Sequence, residues 1–297
     1  MFLTSNPDLV VESCKAGLLG TFPALNQRSS EGLTDWLNEI EERLAETANP
    51  APYGVNLIVH KTNPRLAADL EIVVKHRVPV VITAFGAVSD VIDAVHSYGG
   101  IVLHDVVNRR HAEKVAQAGV DGIIALSAGA GGHTGHLSPF AAIAEIRKVF
   151  DGIVILAGAI STGRDIAAAR AMGADLVSMG TRFIATREAG VSDAQKQMML
   201  DAGASDVIVT PNITGAAASF MRASVKAVGL DPDNLPPVGG PDVTRESKAW
   251  RDIWSAGHGV VSIDDIPSVA ELGDQLASEY RDAIREISND PFASRLA

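Results

Sequence analysis

Cys14 is the one cysteine in 297 residues. An internal disulfide is thereby excluded, which fits a reducing compartment. No Gly-rich or basic context surrounds this thiol, so it reads as a small buried side chain rather than a nucleophile. Cations are also scarce: 25 Lys and Arg against 36 Asp and Glu leave a formal charge of −11. No basic stripe appears, and nucleic acid is excluded as a main partner because phosphate backbones need clustered Lys and Arg. Long apolar runs are missing. The longest, such as Val78–Val88, fall well short of the ~20 residues a bilayer crossing needs. Met1–Pro7 lacks the basic region and apolar stretch of a signal peptide. These features together predict a cytoplasmic protein without a membrane partner. Aromatic residues make up only 5%.

What the chain does have is a 46% hydrophobic fraction dominated by Ala, Gly, Val and Ile. That mix suits parallel strands buried on both faces, with small residues where helices pack. Strands are expected at Gly20–Leu25, Tyr53–Val59, Val78–Phe85, Gly100–Val106, Gly122–Ser127, Ile153–Ala159 and Leu176–Gly180. Helices are expected near 31–47, 64–76, 88–98, 108–118, 139–149 and 163–172. Each strand–helix unit takes about 25–30 residues, the repeat of βα units. Asn63-Pro64 and Ser138-Pro139 supply helix starts, with Pro at the first helical position. The expected fold class is α/β, a TIM (β/α)8-type barrel. One strand is short of the barrel's count. Met1-Phe-Leu-Thr runs at once into a helical pattern over Pro7–Ala16, so the first strand reads as truncated.

After Phe183 the alternation stops. Helical patterns lie near 192–202 and 215–228, and Asp231–Pro241 is rich in Pro and Gly. Lys248–Ser255 carries two tryptophans, and a long amphipathic helix spans Val269–Ile287. The division expected is a barrel built from 1–187 and 246–297, with a small helical cap at 188–245 lying over one end. Such a cap excludes water and shapes a pocket.

Chemistry concentrates at strand ends. The loop Ala128-Gly-Ala-Gly-Gly-His133-Thr-Gly135 follows a buried strand. Its glycines let backbone amides approach a ligand, and its histidine is a proton carrier suited to neutral pH. The plain alternative is a flexible turn with a solvated histidine. Gly158 and Gly180 end two later strands, and Thr181 adds a hydroxyl. Loops after the last two barrel strands are where such enzymes bind phosphate through backbone N–H groups. Arg182 stands there as a neutralising charge or an ion-pair partner on the rim. His136 follows His133 by three positions, yet no third ligand is visible and no metal is expected. His60, His76, His96 and His111 read as surface residues, and His258 as a turn residue. Arg222 and Lys226 in the cap, and Asn212-Ile-Thr-Gly215, are candidates for the pocket mouth.

Taken in order, Gly54-Val-Asn-Leu57, Ala118-Gly-Val-Asp-Gly122, Gly129–Gly135, Leu156-Ala-Gly-Ala-Ile160, Gly173–Thr186 and Trp254-Ser-Ala-Gly257 resemble the nitronate monooxygenases, once called 2-nitropropane dioxygenases. These are FMN-dependent TIM-barrel enzymes, and the resemblance covers nearly the whole chain. By matching motif it implies that His133 is the catalytic base. Gly131 and Gly132 would lie against the flavin. Ala157, Gly158, Ala159, Gly180 and Thr181 would bind its phosphate, and Asn56 would reach the ring or ribityl chain. Asp105, in His104-Asp105, occupies the flavin-side position where many relatives carry a lysine. Ala159 replaces a frequent second glycine. Met1 matches the methionine that ends the family's first strand.

The implied reaction is oxidation of an alkyl nitronate, or of a nitroalkane, by O2 to a carbonyl compound and nitrite. Besides a non-enzymatic barrel that lost activity with its first strand, two rivals share the residues. One is an NAD(P)H-dependent flavin reductase of quinones or enoyl thioesters. The other is a flavin-free lyase or isomerase acting on a phosphorylated metabolite, which needs a Schiff-base lysine or paired carboxylates. The expected partners are a small-molecule substrate and O2, with a homodimer left open.

Overall fold

The computed structural model describes residues 1–86, 89–241 and 250–291. The helix start expected at 88, the end of the cap at 242–245, Lys248 and the stretch 292–297 lie outside the described residues.

The strands β1 (Gly20–Pro23), β2 (Tyr53–Ile58), β3 (Val80–Ala84), β4 (Ile101–Val106) and β5 (Gly122–Leu126) are joined by helices. These are α1 (Pro7–Lys15), ahead of β1, then α2 (Ser30–Ala45), α3 (Leu66–Lys75), α4 (Ser89–His96) and α5 (Arg109–Ala118). A two-residue strand β6 (Gly132–His133) precedes α6 (Pro139–Arg147), β7 (Ile153–Ala157), α7 (Gly163–Ala171) and β8 (Leu176–Ser178). The seven-stranded sheet runs β1-β2-β3-β4-β5-β7-β8, and every neighbouring pair is parallel. It curls into the expected α/β barrel.

Strand alternation explains the apolar runs. Val80, Leu103, Ile124, Ile155 and Ala157 fill the barrel interior. Their neighbours Val81, Val102, Ile123, Val154 and Leu156 face outward beneath the helices. With both faces buried, nearly every position is apolar. Helix starts follow the sequence: Asn6 caps α1 ahead of Pro7, Ser138 caps α6 ahead of Pro139, and Thr162 with Asp165 forms a capping box on α7.

Between β8 and β1 lies Met1–Ser5. Asn26, just past β1, donates to Met1 O at 3.2 Å and to Ser5 O at 2.7 Å. A Cβ built on Gly180, just past β8, would stand 3.3 Å from the Met1 sulfur. Outside this seam the long helix α11 (Val269–Ser288) packs on α7 and α1. It buries Val269, Leu272, Leu276 and Ala283.

The segment after β8 differs from the expected helical cap. It begins with the short helix α8 (Thr181–Ile184) and α9 (Asp193–Asp201), the latter as expected. The stretch 215–228, expected as one helix, is instead strand β10 (Ala218–Met221) followed by α10 (Arg222–Ala227). An unexpected strand β9 (Val207–Thr210) pairs antiparallel with β10. On its other side β10 pairs with β6, Ala218 opposite His133 and Ser219 opposite Gly132. The segment is therefore mixed in secondary structure, and it is hydrogen-bonded to the histidine loop. Tertiary pairing has overridden the helix preference of Ala216–Ala218.

One outward residue has consequences for acid stability. His104 is 4% exposed, and its Nδ1 lies 2.7 Å from Thr83 Oγ1. Burial, helped by the charges of His111 and Lys114, pulls its pKa from 6.5 to about 4. Between those values the unfolded chain binds the proton and the folded chain does not. Stability is then full above pH 6.5 and is lost as pH falls toward 4. Urea titrations of the wild type and His104→Gln are expected to diverge in this window. The variant should lose less on acidification, by up to about 3 kcal/mol. Identical pH slopes in the two proteins would contradict the assignment.

Candidate functional site

The residues expected to bind the cofactor or act on substrate face one cavity of about 1150 Å³ at the carboxyl ends of the strands. Asn56, Asp105, Gly131, Gly132, His133, Ala157, Gly158, Ala159, Gly180 and Thr181 all line it. Register explains the convergence. Asn56 pairs with Ile82 and Asp105 with Ile124, and on parallel strands paired positions share a face. Asp105 is thus the inward residue one step above Leu103 of the interior cluster. Burial pushes its carboxyl up to about 7, so at neutral pH it is partly a proton donor and does not present a full negative charge.

The glycine loops are shaped by backbone that side chains resist. Gly158 has φ +138°, and a Cβ on it would fall 2.3 Å from Ser127 Oγ. Ala159 follows with φ +54°, a left-handed conformation that a glycine would adopt without strain. Gly131 is pressed against the tail segment, where a Cβ would meet Gly257 N at 2.9 Å and Thr181 Oγ1 at 3.0 Å.

Some of these backbone donors already have partners. Ala159 N–H already donates to Gly129 O at 3.2 Å, and Gly132 N–H donates to Ser255 Oγ at 2.8 Å. Thr181 Oγ1 accepts from Gly257 N–H at 2.8 Å and keeps its own proton for another acceptor. The first N–H groups of α8, directly after Gly180, have no acceptor within the helix. Arg182 is the ion-pair alternative: it is buried and holds Asp265 at 2.5 Å.

His133 packs against two rings. Phe85 meets it edge-on with centroids 5.0 Å apart at 88°. Trp250 stands 5.9 Å away at 73°, and Nε2 is enclosed. Burial lowers the imidazole from 6.5 to about 4. At neutral pH it is therefore uncharged and able to accept a proton.

Other sequence candidates fall elsewhere. His136 is exposed, and Asn212 donates to Leu235 O rather than facing the cavity. Arg222 pairs with Asp233 at 2.8 Å. His76, expected at the surface, has a side chain 9% exposed and lies 3.1 Å from Glu41. His60, also expected there, lines the cavity and touches Phe85 at 6.2 Å. Among the described residues no cluster of three metal-ligating side chains occurs, and no helix is long and apolar enough to cross a membrane. Sequence reasoning missed Phe85, Trp250 and Ser255. For the last two the pair of tryptophans beside Trp254-Ser-Ala-Gly257 was the available signal.

A family model described as nitronate monooxygenase matches residues 33–279. A nitronate monooxygenase from Paraburkholderia phytofirmans is 31% identical over 74% of this chain and 66% of its own length. A (3aS,4S,5R,7aS)-5-hydroxy-7a-methyl-1-oxo-octahydro-1H-indene-4-carboxyl-CoA dehydrogenase from Rhodococcus jostii is 30% identical over 71% of this chain and 58% of its own. The chain spans about half the length of several curated relatives, 49% and 46% for two from Mycobacterium tuberculosis. Among solved structures, nitroalkane oxidase from Streptomyces ansochromogenes superposes with a TM-score of 0.82 at 25% identity, covering 96% of this chain and 94% of that one. A FabK variant from Thermotoga maritima gives 0.80 at 26%, covering 97% and 92%. With the family model running from α2 into α11, across every parallel strand after β1, the chain belongs to the nitronate monooxygenase family.

Proposed function

We propose that the cavity binds FMN and that the protein oxidises alkyl nitronates, and nitroalkanes after proton removal, with O2 to a carbonyl compound and nitrite. The observation that carries this reading is the convergence of three separate glycine loops and one uncharged imidazole on a single cavity. The cavity's volume lies just above the roughly 300–1,000 Å³ typical of small-molecule sites, so a cofactor and a small substrate fit together.

The residues suit a flavin mononucleotide. A phosphate would take the N–H groups at Gly158, Gly180 and the start of α8, together with the Thr181 hydroxyl. A Cβ on Gly180 would touch only the Met1 thioether, so the glycine leaves that wall open. Asn56 offers an amide to a ring carbonyl or a ribityl hydroxyl, and Asp105 offers a shared proton. When bound, the flavin supplies the electron transfer between substrate and oxygen.

This chain's residues supply the rest. On a neutral nitroalkane His133 takes the α-proton. The C–H electron pair stays on carbon and spreads into the nitro group, giving the nitronate. The new anion beside the imidazolium raises the basicity of a group that burial alone makes weak. A substrate that arrives as nitronate skips this step. Strand β10 and Trp250 cover the histidine, which keeps water away from the anion.

The likeness to FabK favours a second reading, an NAD(P)H-dependent flavin reductase. The lyase reading has less support, since no lysine lines the cavity among the described residues. Anaerobic titration of the FMN-loaded protein separates the first two. Propionate 3-nitronate is expected to bleach the visible flavin band, and NADPH is expected to leave it unchanged. The reverse pattern would replace the monooxygenase reading by the reductase.

A further inference from the structure

Phe85 follows directly on β3 in a conformation its residue type resists. Its φ is +60°, and Gly86 follows at +73°. Two successive left-handed residues turn the chain abruptly at the strand's carboxyl end. The turn is tight: a Cβ on Gly86 would fall 1.9 Å from Val59 O. Glycine is therefore obligatory at 86, but at 85 a non-glycine residue sits where glycine would be easier. Backbone strain kept at a cavity wall asks for a functional reason.

The turn delivers the ring. Had β3 continued in extended form, the side chain after inward Ile82 and Ala84 would alternate outward at 85. Instead Phe85 lines the cavity. Its ring lies edge-on to His133 at 5.0 Å and 88° and contacts His60 at 6.2 Å and 71°. Trp250 also meets the imidazole, at 5.9 Å and 73°. Trp250 is itself backed by Phe220 at 4.8 Å, and Phe220 is fully buried in β10. The histidine thus touches two rings, one carried by the turn after β3 and one backed by Phe220 of β10.

We propose that Phe85 is a positioning residue, held against the backbone's preference so that its ring fixes the plane of the His133 imidazole over the cavity. The inference rests on His133 as the proton carrier for neutral nitroalkanes. It assigns Phe85 no contact with the reacting atoms. Ring size and shape are what matter. An edge-to-face pair of rings is directional in a way an aliphatic contact is not, and small errors in the alignment of a proton acceptor cost rate steeply.

The test uses the FMN-loaded full chain with Phe85→Leu and Phe85→Tyr. Leucine keeps apolar bulk without a ring, and tyrosine keeps the ring. For Phe85→Leu, turnover of neutral nitroethane is expected to fall at least tenfold, while turnover of ethyl nitronate, which needs no proton removal, changes less than threefold. Phe85→Tyr is expected to keep the wild-type ratio of the two rates. A parallel fall with both substrates, or no change with either, would overturn the proposal and leave Phe85 a packing residue. A second measurement needs no turnover. The imidazole proton resonance of His133, assigned through His133→Asn, should lose its ring-current shift in Phe85→Leu and retain it in Phe85→Tyr. If the wild type oxidises neither substrate, the functional reading fails and the resonance alone decides the positioning role. An unmoved resonance in Phe85→Leu would refute it.

Discussion

His133→Ala should lose turnover of nitroethane by a factor of about 10²–10⁴, the range carried by a positioned acid or base, and should still oxidise ethyl nitronate at a rate within severalfold of wild type. The split follows from what each substrate needs. Nitroethane must give up its α-proton within the cavity, and the proposed acceptor is the uncharged imidazole packed there against Phe85 and Trp250. Ethyl nitronate arrives without that proton. The variant should also remain yellow, because the proposed phosphate donors lie on other loops. Nitrite release with each substrate is the measurement. Equal losses on both would mean that the histidine holds substrate or flavin instead, and an unchanged nitroethane rate would remove it from the chemistry.

The pH profile sharpens this expectation. Burial holds the imidazole at about 4 instead of 6.5. The proton-accepting form is therefore complete above pH 5 and is lost only as pH falls through 4. For the free enzyme, kcat/KM on nitroethane should run flat from pH 6 down to about 5 where an ordinary histidine would already be failing. Asp105 titrates near 7, so a shallow limb there belongs to the carboxyl and should vanish in Asp105→Asn while the acid limb stays.

The barrel was legible because its strands are buried on both faces. Ile153–Ala157 and Gly122–Leu126 read as unbroken apolar runs, and the glycines that end them mark where backbone must turn. The cap was not legible. Val207–Thr210 and Ala218–Met221 are four residues each, too short for a pattern, and their third partner is a Gly–His pair inside a loop. Alanines at 216–218 favour a helix locally, and only the pairing with His133 and Ile208 makes a strand of them. The position of Phe85 was hidden for another reason. The run Val78–Phe85 continues a strand by every local rule, and the left-handed φ that ends it is a tertiary fact. The tail segment 255–259 reaches the histidine loop from more than a hundred residues away, a contact no local pattern carries.

Gly180→Val is expected to yield folded, colourless protein whose affinity for FMN is at least a hundredfold weaker, about 2.7 kcal/mol. The expectation turns on how two glycines differ. At Gly158 the backbone has φ +138°, and a side chain would meet Ser127 Oγ at 2.3 Å. A substitution there strains the main chain and displaces a hydroxyl bonded to Ala157 O at 2.9 Å, so lost flavin and lost fold would be inseparable. Gly180 has φ −109°, which any residue adopts. Its Cβ would touch only the sulfur and Cγ of Met1, at 3.3 and 3.4 Å, the far end of a side chain that moves readily. Valine therefore leaves the fold and sets two methyl groups on the cavity wall, between the strand-end amides and the place a phosphate would occupy. Thermal unfolding of the apoprotein should stay within a few degrees of wild type, while fluorescence titration with FMN shows the weakened binding. Tight FMN binding by this variant would put the cofactor somewhere other than the loops after β7 and β8, and the assignment of Ala157, Gly158, Ala159, Gly180 and Thr181 would fall together.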